Sequence, residues 1–303
     1  MRIKVVEDLL AEVRARHSPL LVACAAPEDG DSLEALRLAA DQGIAQPLLV
    51  GRQHAICAVA RTLGISLDGF RFHNVPDEDD VAYVACGIVH DGEASVLMKG
   101  MLPTKQIIRA VLNHDRGLRT GRMLSHVALF DAPLLGKPVA VTDAGVNVRP
   151  SLSQKIEIIR NAAEVVSRLG VQQPKVAMLA AIEHVDVSTM PATLDAKLVE
   201  RMAEAGLLGN LTVQGPLALD DAVSPEVARS KSLIGPVAGK ADILIAPEIE
   251  TANVLYKALT CFAGLEGASI IWGAKAPIVV PGRADSGRMK FLSIALAAAI
   301  AEG

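Results

Sequence analysis

The chain has 303 residues, 51% of them hydrophobic, 21% charged and 3% aromatic, with a formal net charge of -4. That balance excludes a disordered chain, and the lack of a basic excess argues against nucleic acid as a partner. With so few aromatics the core must be built from Ala, Val, Leu and Ile, which suits parallel strands buried beneath Ala-rich helices.

The opening segment MRIKVVEDLLAEVRARH mixes charge and apolar residues at helical spacing. It lacks the uncharged stretch of a signal peptide, and no later run is long enough to span a bilayer, so the expected compartment is the cytoplasm, with no membrane partner. Apolar runs at 20–25, 47–51, 94–100, 126–131, 138–144, 175–181, 211–215, 242–247, 268–272 and 277–280 read as strands. Between most of them lie stretches such as SLEALRLAADQG, TKQIIRAVL, QKIEIIRNAAEVVSRLG and TANVLYKALTCFAG, with apolar residues three and four apart. Strand and helix alternating in this way predict α/β architecture with a largely parallel sheet. So many strands predict two lobes, with a boundary at the polar, Gly-rich NHDRGLRTGR. The expected division is 1–122 plus 275–303 for the first lobe and 123–274 for the second, with the last helix packing on the first lobe.

Cys24, Cys57, Cys86 and Cys261 form no CxxC pair and read as reduced, buried core thiols. The histidines are dispersed without metal-ligand spacing. No GxGxxG, Walker A or GxSxG sequence is present.

In open α/β sheets ligands bind beyond the carboxyl ends of strands, where helix N-termini point their N–H groups outward. Four loops therefore stand out. Lys99-Gly100 precede a helix opened by Thr104 and carrying Arg109; they read either as an anion site or as a surface lysine with Thr104 as an ordinary cap. Asp143 through Asn147 reads first as a loop ordered by side-chain to backbone bonds. In the helix after Glu248, Leu255, Leu259 and Phe262 are expected on one face and Asn253 and Lys257 on another, turned toward ligand or toward water. In PGRADS, Asp285 or Ser286 caps the last helix, and Arg283 beside a helix N-terminus suits a phosphate or merely pairs with Asp285.

Taken together, APEIETANVLYKAL, GAKAPIVVPGRADS, SHVALFDAPLLGKPVAVTDAGVNVRP and VQGPLALDDAV resemble the phosphate acyltransferase family, the butyryl branch most closely and the acetyl branch next. The resemblance runs from about residue 20 to the end. It implies a two-lobed α/β fold like that of isocitrate and isopropylmalate dehydrogenases, with a ligand cleft between lobes and a homodimer or higher homo-oligomer. It implies the reaction acyl-CoA + phosphate ⇌ acyl phosphate + CoA, with a coenzyme A thioester as substrate and no bound cofactor or metal. By the same resemblance, Arg283, Asp285 and Asn253 are the expected catalytic residues. Lys99, Gly100, Thr104, Arg109, Ser125, Asp143, Asn147, Lys257 and Ser286 are the expected substrate-binding ones. Three departures stand out: Gly282 replaces the serine that precedes the arginine in the acetyl branch, SGRMK lacks that branch's carboxylate, leaving Asp285 as the nearest acid, and Gln214 stands where relatives tend to carry Asp. The rival readings are a non-catalytic phospho-metabolite binding protein and an acyl-carrier-protein phosphate acyltransferase on the same fold.

Overall fold

The computed structural model describes residues 3–15, 19–282 and 285–301. In chain order its elements are α1 (Asp8–Arg14), β1 (Leu20–Ala25), α2 (Gly30–Asp41), β2 (Ala45–Gly51), α3 (Gln53–Leu63), β3 (Arg71–Asn74), α4 (Glu78–His90), β4 (Val96–Lys99) and α5 (Thr104–Val111). There follow β5 (Ser125–Ala132), β6 (Lys137–Thr142), α6 (Leu152–Arg168), β7 (Lys175–Leu179), α7 (Ala192–Glu204), β8 (Thr212–Leu217), α8 (Leu219–Val223) and α9 (Pro225–Ser230). The chain closes with β9 (Ile243–Ile245), α10 (Ile249–Lys257), β10 (Gly267–Trp272), β11 (Ile278–Val279) and α11 (Gly287–Ile300). The mixed, largely parallel α/β fold is the one expected, and β3 is the strand the apolar runs do not reveal.

These elements group into two compact units, one from Glu7–Arg122 and the segment from Ala268 onward, the other from Met123–Gly267 and the segment up to Val6. In the first unit the strand order is β3-β2-β1-β4-β11-β10. All neighbours are parallel except β10 and β11, where Ile271 faces Ile278 across an antiparallel bridge. That pairing groups β10 with the first unit, whereas the sequence division puts residues 268–274 in the second lobe. β1 lies between β2 and β4, so its run of Val22, Ala23, Cys24 and Ala25 is buried on both sides and shows no alternation. The last helix, α11, is buried from Met289 through Ile300 and packs on α1 and α2.

One charged contact fixes that packing. Lys290 on α11 is 5% exposed, and its Nζ donates to Asp29 Oδ1 at 2.9 Å. Asp29 is also the N-cap of α2, accepting from the Ser32 N–H at 2.8 Å. Burial alone would raise the Asp29 pKa, but its hydrogen bonds to Ser32 and Lys290 outweigh that and hold it below the usual carboxylate range.

In the second unit the order is β5-β6-β9-β7-β8. β5 and β6 form an antiparallel hairpin, because the 133–136 turn is too short for a crossover. The remaining pairs are parallel. Among the described residues, no helix is long and apolar enough to cross a membrane.

Candidate active site

In the first unit, β1 and β4 end side by side. Gly100 N donates to the Ala25 carbonyl and Met101 N to the Ala26 carbonyl, each at 2.8 Å. A Cβ on Gly100 would stand 2.9 Å from Pro27 Cα and closer still to the Ala26 carbonyl. Gly100 is therefore required by the contact of two backbones. Lys99 is 5% exposed and its Nζ donates to the Gly100 carbonyl at 3.0 Å, which excludes the surface-lysine reading. Thr104 does not cap α5, contrary to one of its two readings. Pro103 occupies the N-cap position, with no side chain bonded to the first turn, and Thr104 and Arg109 are both exposed. The opening N–H groups of α5 are thus left without a side-chain acceptor.

Arg283 lies outside the described residues. On its flanks, Asp285 is 5% exposed and its Oδ2 accepts from the Gly282 N–H at 2.7 Å. The Asp285 N–H returns to the Gly282 carbonyl at 3.1 Å. The cap of α11 is Ser286, whose Oγ accepts from Met289 N at 3.2 Å. Of the two cap candidates the structure selects Ser286, which leaves Asp285 to hold the Gly282 peptide.

In the second unit, Ser125 opens β5 and is fully buried. Its Oγ is bonded to Asn161 Nδ2 at 2.8 Å, and the same amide reaches the Met123 carbonyl at 2.8 Å. No ligand reaches Ser125 in this conformation; it anchors the start of β5 to α6.

After β6, Asp143 organises its own loop. Its Oδ1 accepts from the Gly145 and Val146 N–H groups, both at 2.9 Å. Its Oδ2 accepts from the Asn147 N–H at 3.2 Å and the Asn147 side-chain amide at 2.6 Å. Asn147 Nδ2 also donates to the Leu124 carbonyl at 2.8 Å. Across the chain, Asn253 Nδ2 donates to the Ala144 carbonyl at 3.0 Å, so the structure brings Asp143, Asn147 and Asn253 together. Lys257, at the end of α10, sits with its Nζ 4.9 Å from the Tyr256 ring centroid.

The helix after Glu248 departs from the expected single face. Beyond α10 the chain widens into a π-helical turn over Ala258–Phe262, which rotates Phe262 outward to 94% exposure. Leu255 and Leu259 still share a surface, where they line an apolar cavity of about 180 Å3. A larger cavity of about 750 Å3 lies at the ends of β7 and β9, among the starts of α6, α7 and α10, lined in part by Lys155, Ala181, Asp195, Glu248, Thr251 and Leu255. None of the residues expected to be catalytic or substrate-binding lines it. Lys155 is 4% exposed and pairs with Asp195 at 2.8 Å. The strand-end rule points to this region, but only the rotation of α10 shows that Thr251 and Leu255 turn toward the open space.

Gln214, on β8, acquires a plain role: its Oε1 accepts from the Val237 and Ala238 N–H groups, each at 3.0 Å. The position requires an acceptor, which a neutral amide supplies. The cysteines are free but not uniformly buried. Cys24 and Cys86 are buried, and burial pushes the Cys24 thiol up strongly and the Cys86 thiol to about 11. Cys57 is half-buried and Cys261 exposed, contrary to the core-thiol reading, because Cys261 falls in the π-helical turn. Among the described residues no group of three or more His, Cys, Asp or Glu is placed to hold a metal ion.

Residues 77–298 match the family described as Phosphate acetyl/butaryl transferase. The chain belongs to this family. It is 40% identical to a phosphate butyryltransferase of Clostridium acetobutylicum over 299 residues, 99% of each chain. Among solved structures it is similar to a branched-chain phosphotransacylase from Enterococcus faecalis, with a TM-score of 0.82 and 32% identity, covering 93% of this chain and 98% of the other. A 4-hydroxythreonine-4-phosphate dehydrogenase from Klebsiella pneumoniae, at a TM-score of 0.57 and 14% identity, covers 93% of this chain and 98% of its own and shares the fold alone. The family thus accounts for the dehydrogenase-like architecture expected from the sequence.

Proposed function

We infer that the chain catalyses acyl-CoA + phosphate ⇌ acyl phosphate + CoA on short acyl groups, butyryl or acetyl. The observation that carries this is the 40% identity to a phosphate butyryltransferase across essentially the whole of both chains. A phosphate oxygen attacks the thioester carbonyl, the tetrahedral oxyanion collapses, the C–S bond breaks, and the proton released from phosphate ends on the coenzyme A thiol.

In this reading Arg283 holds phosphate, with a bidentate grip that a lysine does not offer. Asp285 supports the Gly282 peptide beside it and is the nearest acid for proton transfer. Asn253 keeps one amide N–H for Ala144 and directs the other at the developing oxyanion, a contact worth roughly 3 kcal/mol in comparable sites. Lys99 with Gly100, the open start of α5 at Thr104, Arg109, and Lys257 supply positive character for phosphate groups. Ser286 starts α11 next to the arginine, Ser125 anchors the loop strand, and Asp143 and Asn147 shape the loop that Asn253 meets. Coenzyme A is a substrate, no resident cofactor is required, and the working form is a cytoplasmic homodimer or larger homo-oligomer.

The test mixes protein with butyryl-CoA or acetyl-CoA, with and without phosphate, and follows free thiol. Phosphate-dependent release is the expected result; none with either thioester sinks the transferase and leaves a phospho-metabolite binding protein or a carrier-protein enzyme. Arg283→Ala should lower turnover by roughly 100-fold or more with the fold retained. Near-normal rates in that variant would remove Arg283 from the chemistry. Asp285→Asn keeps an acceptor for the Gly282 N–H, so a loss of activity there reports on proton transfer rather than on loop shape.

A further inference from the structure

The family resemblance implies that the Asp143 carboxylate binds substrate, whereas its own residues read as loop-ordering, and its bonding in the structure is loop-ordering. A carboxylate offers about four acceptor sites. Four donors, all from residues 145–147, occupy it at 2.6–3.2 Å, and the residue is 5% exposed. An acceptor so committed has no capacity left for a hydroxyl or amide of a ligand, and its charge repels phosphate. What it does instead is fix the peptide planes of its loop. The Ala144 carbonyl, inside that loop, meets the Asn253 side-chain amide at 3.0 Å from 109 residues away. Asn147 ties the same loop to the Leu124 carbonyl, so the loop is braced at both ends.

We propose that Asp143 is a positioning residue: by locking the Ala144 carbonyl it orients the Asn253 amide, aiming its remaining N–H at the oxyanion of the reacting carbonyl. This rests on the transferase reading above. A side-chain amide is free to rotate about its terminal torsions, and that rotation is what the Ala144 contact removes. The arrangement places donor geometry under the control of a carboxylate that never touches substrate, and Asn147 contributes through the same route.

A double-mutant cycle tests it. Asn253→Ala should lower kcat about 100-fold. Asp143→Asn, which replaces an acceptor by an amide nitrogen facing N–H donors, should lower kcat about 10-fold with KM little changed, as for an interaction made in the transition state. In the Asn253→Ala background the same Asp143→Asn change should cost less than about 2-fold, because the group it acts through is gone. Equal losses in both backgrounds, a rise in KM alone, or an Asn253→Ala enzyme with normal kcat would each overturn the proposal. Should Asp143→Asn fail to fold, Asn147→Ala removes the side-chain amide while keeping the carboxylate; it should show a smaller kcat loss with the same dependence on Asn253. A readout independent of turnover is the Asn253 side-chain NH2 resonance, assigned by its disappearance in Asn253→Ala. It should shift in Asp143→Asn; an unmoved signal sinks the positioning role even if the protein has no transferase activity, and a shifted signal in an inactive protein points to failure of the transferase reading instead.

Discussion

The loop after β4 and the loop after β6 look alike in sequence and are built on opposite principles. Both follow a strand buried at its carboxyl end, both contain a glycine, and both lead into a helix. After β4, the glycine serves a backbone-to-backbone contact with Ala26 and Pro27, the adjoining lysine is buried, and α5 begins without a side-chain cap. After β6, Asp143 accepts from three successive backbone N–H groups, and Ser151 and Gln154 close a capping box on α6. One loop spends its N–H groups on a neighbouring strand end and leaves its helix without a side-chain cap, whereas the other closes upon itself.

Three substitutions would break or sharpen that contrast. Gly100→Ala has the largest expected effect. The added Cβ meets backbone that cannot yield, so a loss of about 3 kcal/mol is expected in urea unfolding. A loss below about 1 kcal/mol would mean that the two strand ends are not held together as described. Ser151→Ala comes next: removing the capping-box hydroxyl should cost about 1 kcal/mol with turnover preserved. A large kcat loss without a stability loss would show that this loop contacts substrate after all. Pro103→Ser is the mildest. A new cap on α5 and the loss of proline rigidity should nearly offset each other, leaving stability within about 0.5 kcal/mol. Because the serine oxygen would then compete for the α5 amides, KM for phosphate should rise about 3-fold; an unchanged KM would take α5 out of anion binding.

Much of the fold is legible in the apolar runs, since strands buried on both faces have few alternatives to continuous Val, Leu, Ile and Ala. β3 escapes because Arg71, His73 and Asn74 are exposed, which leaves no run to detect. The allegiance of β10 escapes because it depends on an antiparallel return to β11. In the site, the Asp143 loop is readable because an Asp followed by Gly and Asn bonds locally. The Asn253 contact with Ala144 is not, because nothing local specifies a partner 109 residues distant. Phe262 leaves the face that 3.6 residues per turn predicts, because the π-helical stretch breaks that period.

The first unit draws on both ends of the polypeptide, from Glu7 to Arg122 and again from Ala268, whereas most of the second is a single stretch, Met123–Gly267. On the ribosome, the interior stretch therefore has nearly all its parts before the earlier one is complete. Until the final segment emerges, β4 lacks its β11 neighbour and α2 lacks the helix that bears Lys290. An unpaired β4 edge in the nascent chain is a surface on which wrong strands can dock. Truncations near the carboxyl end should accordingly aggregate during synthesis, even though the missing residues are few.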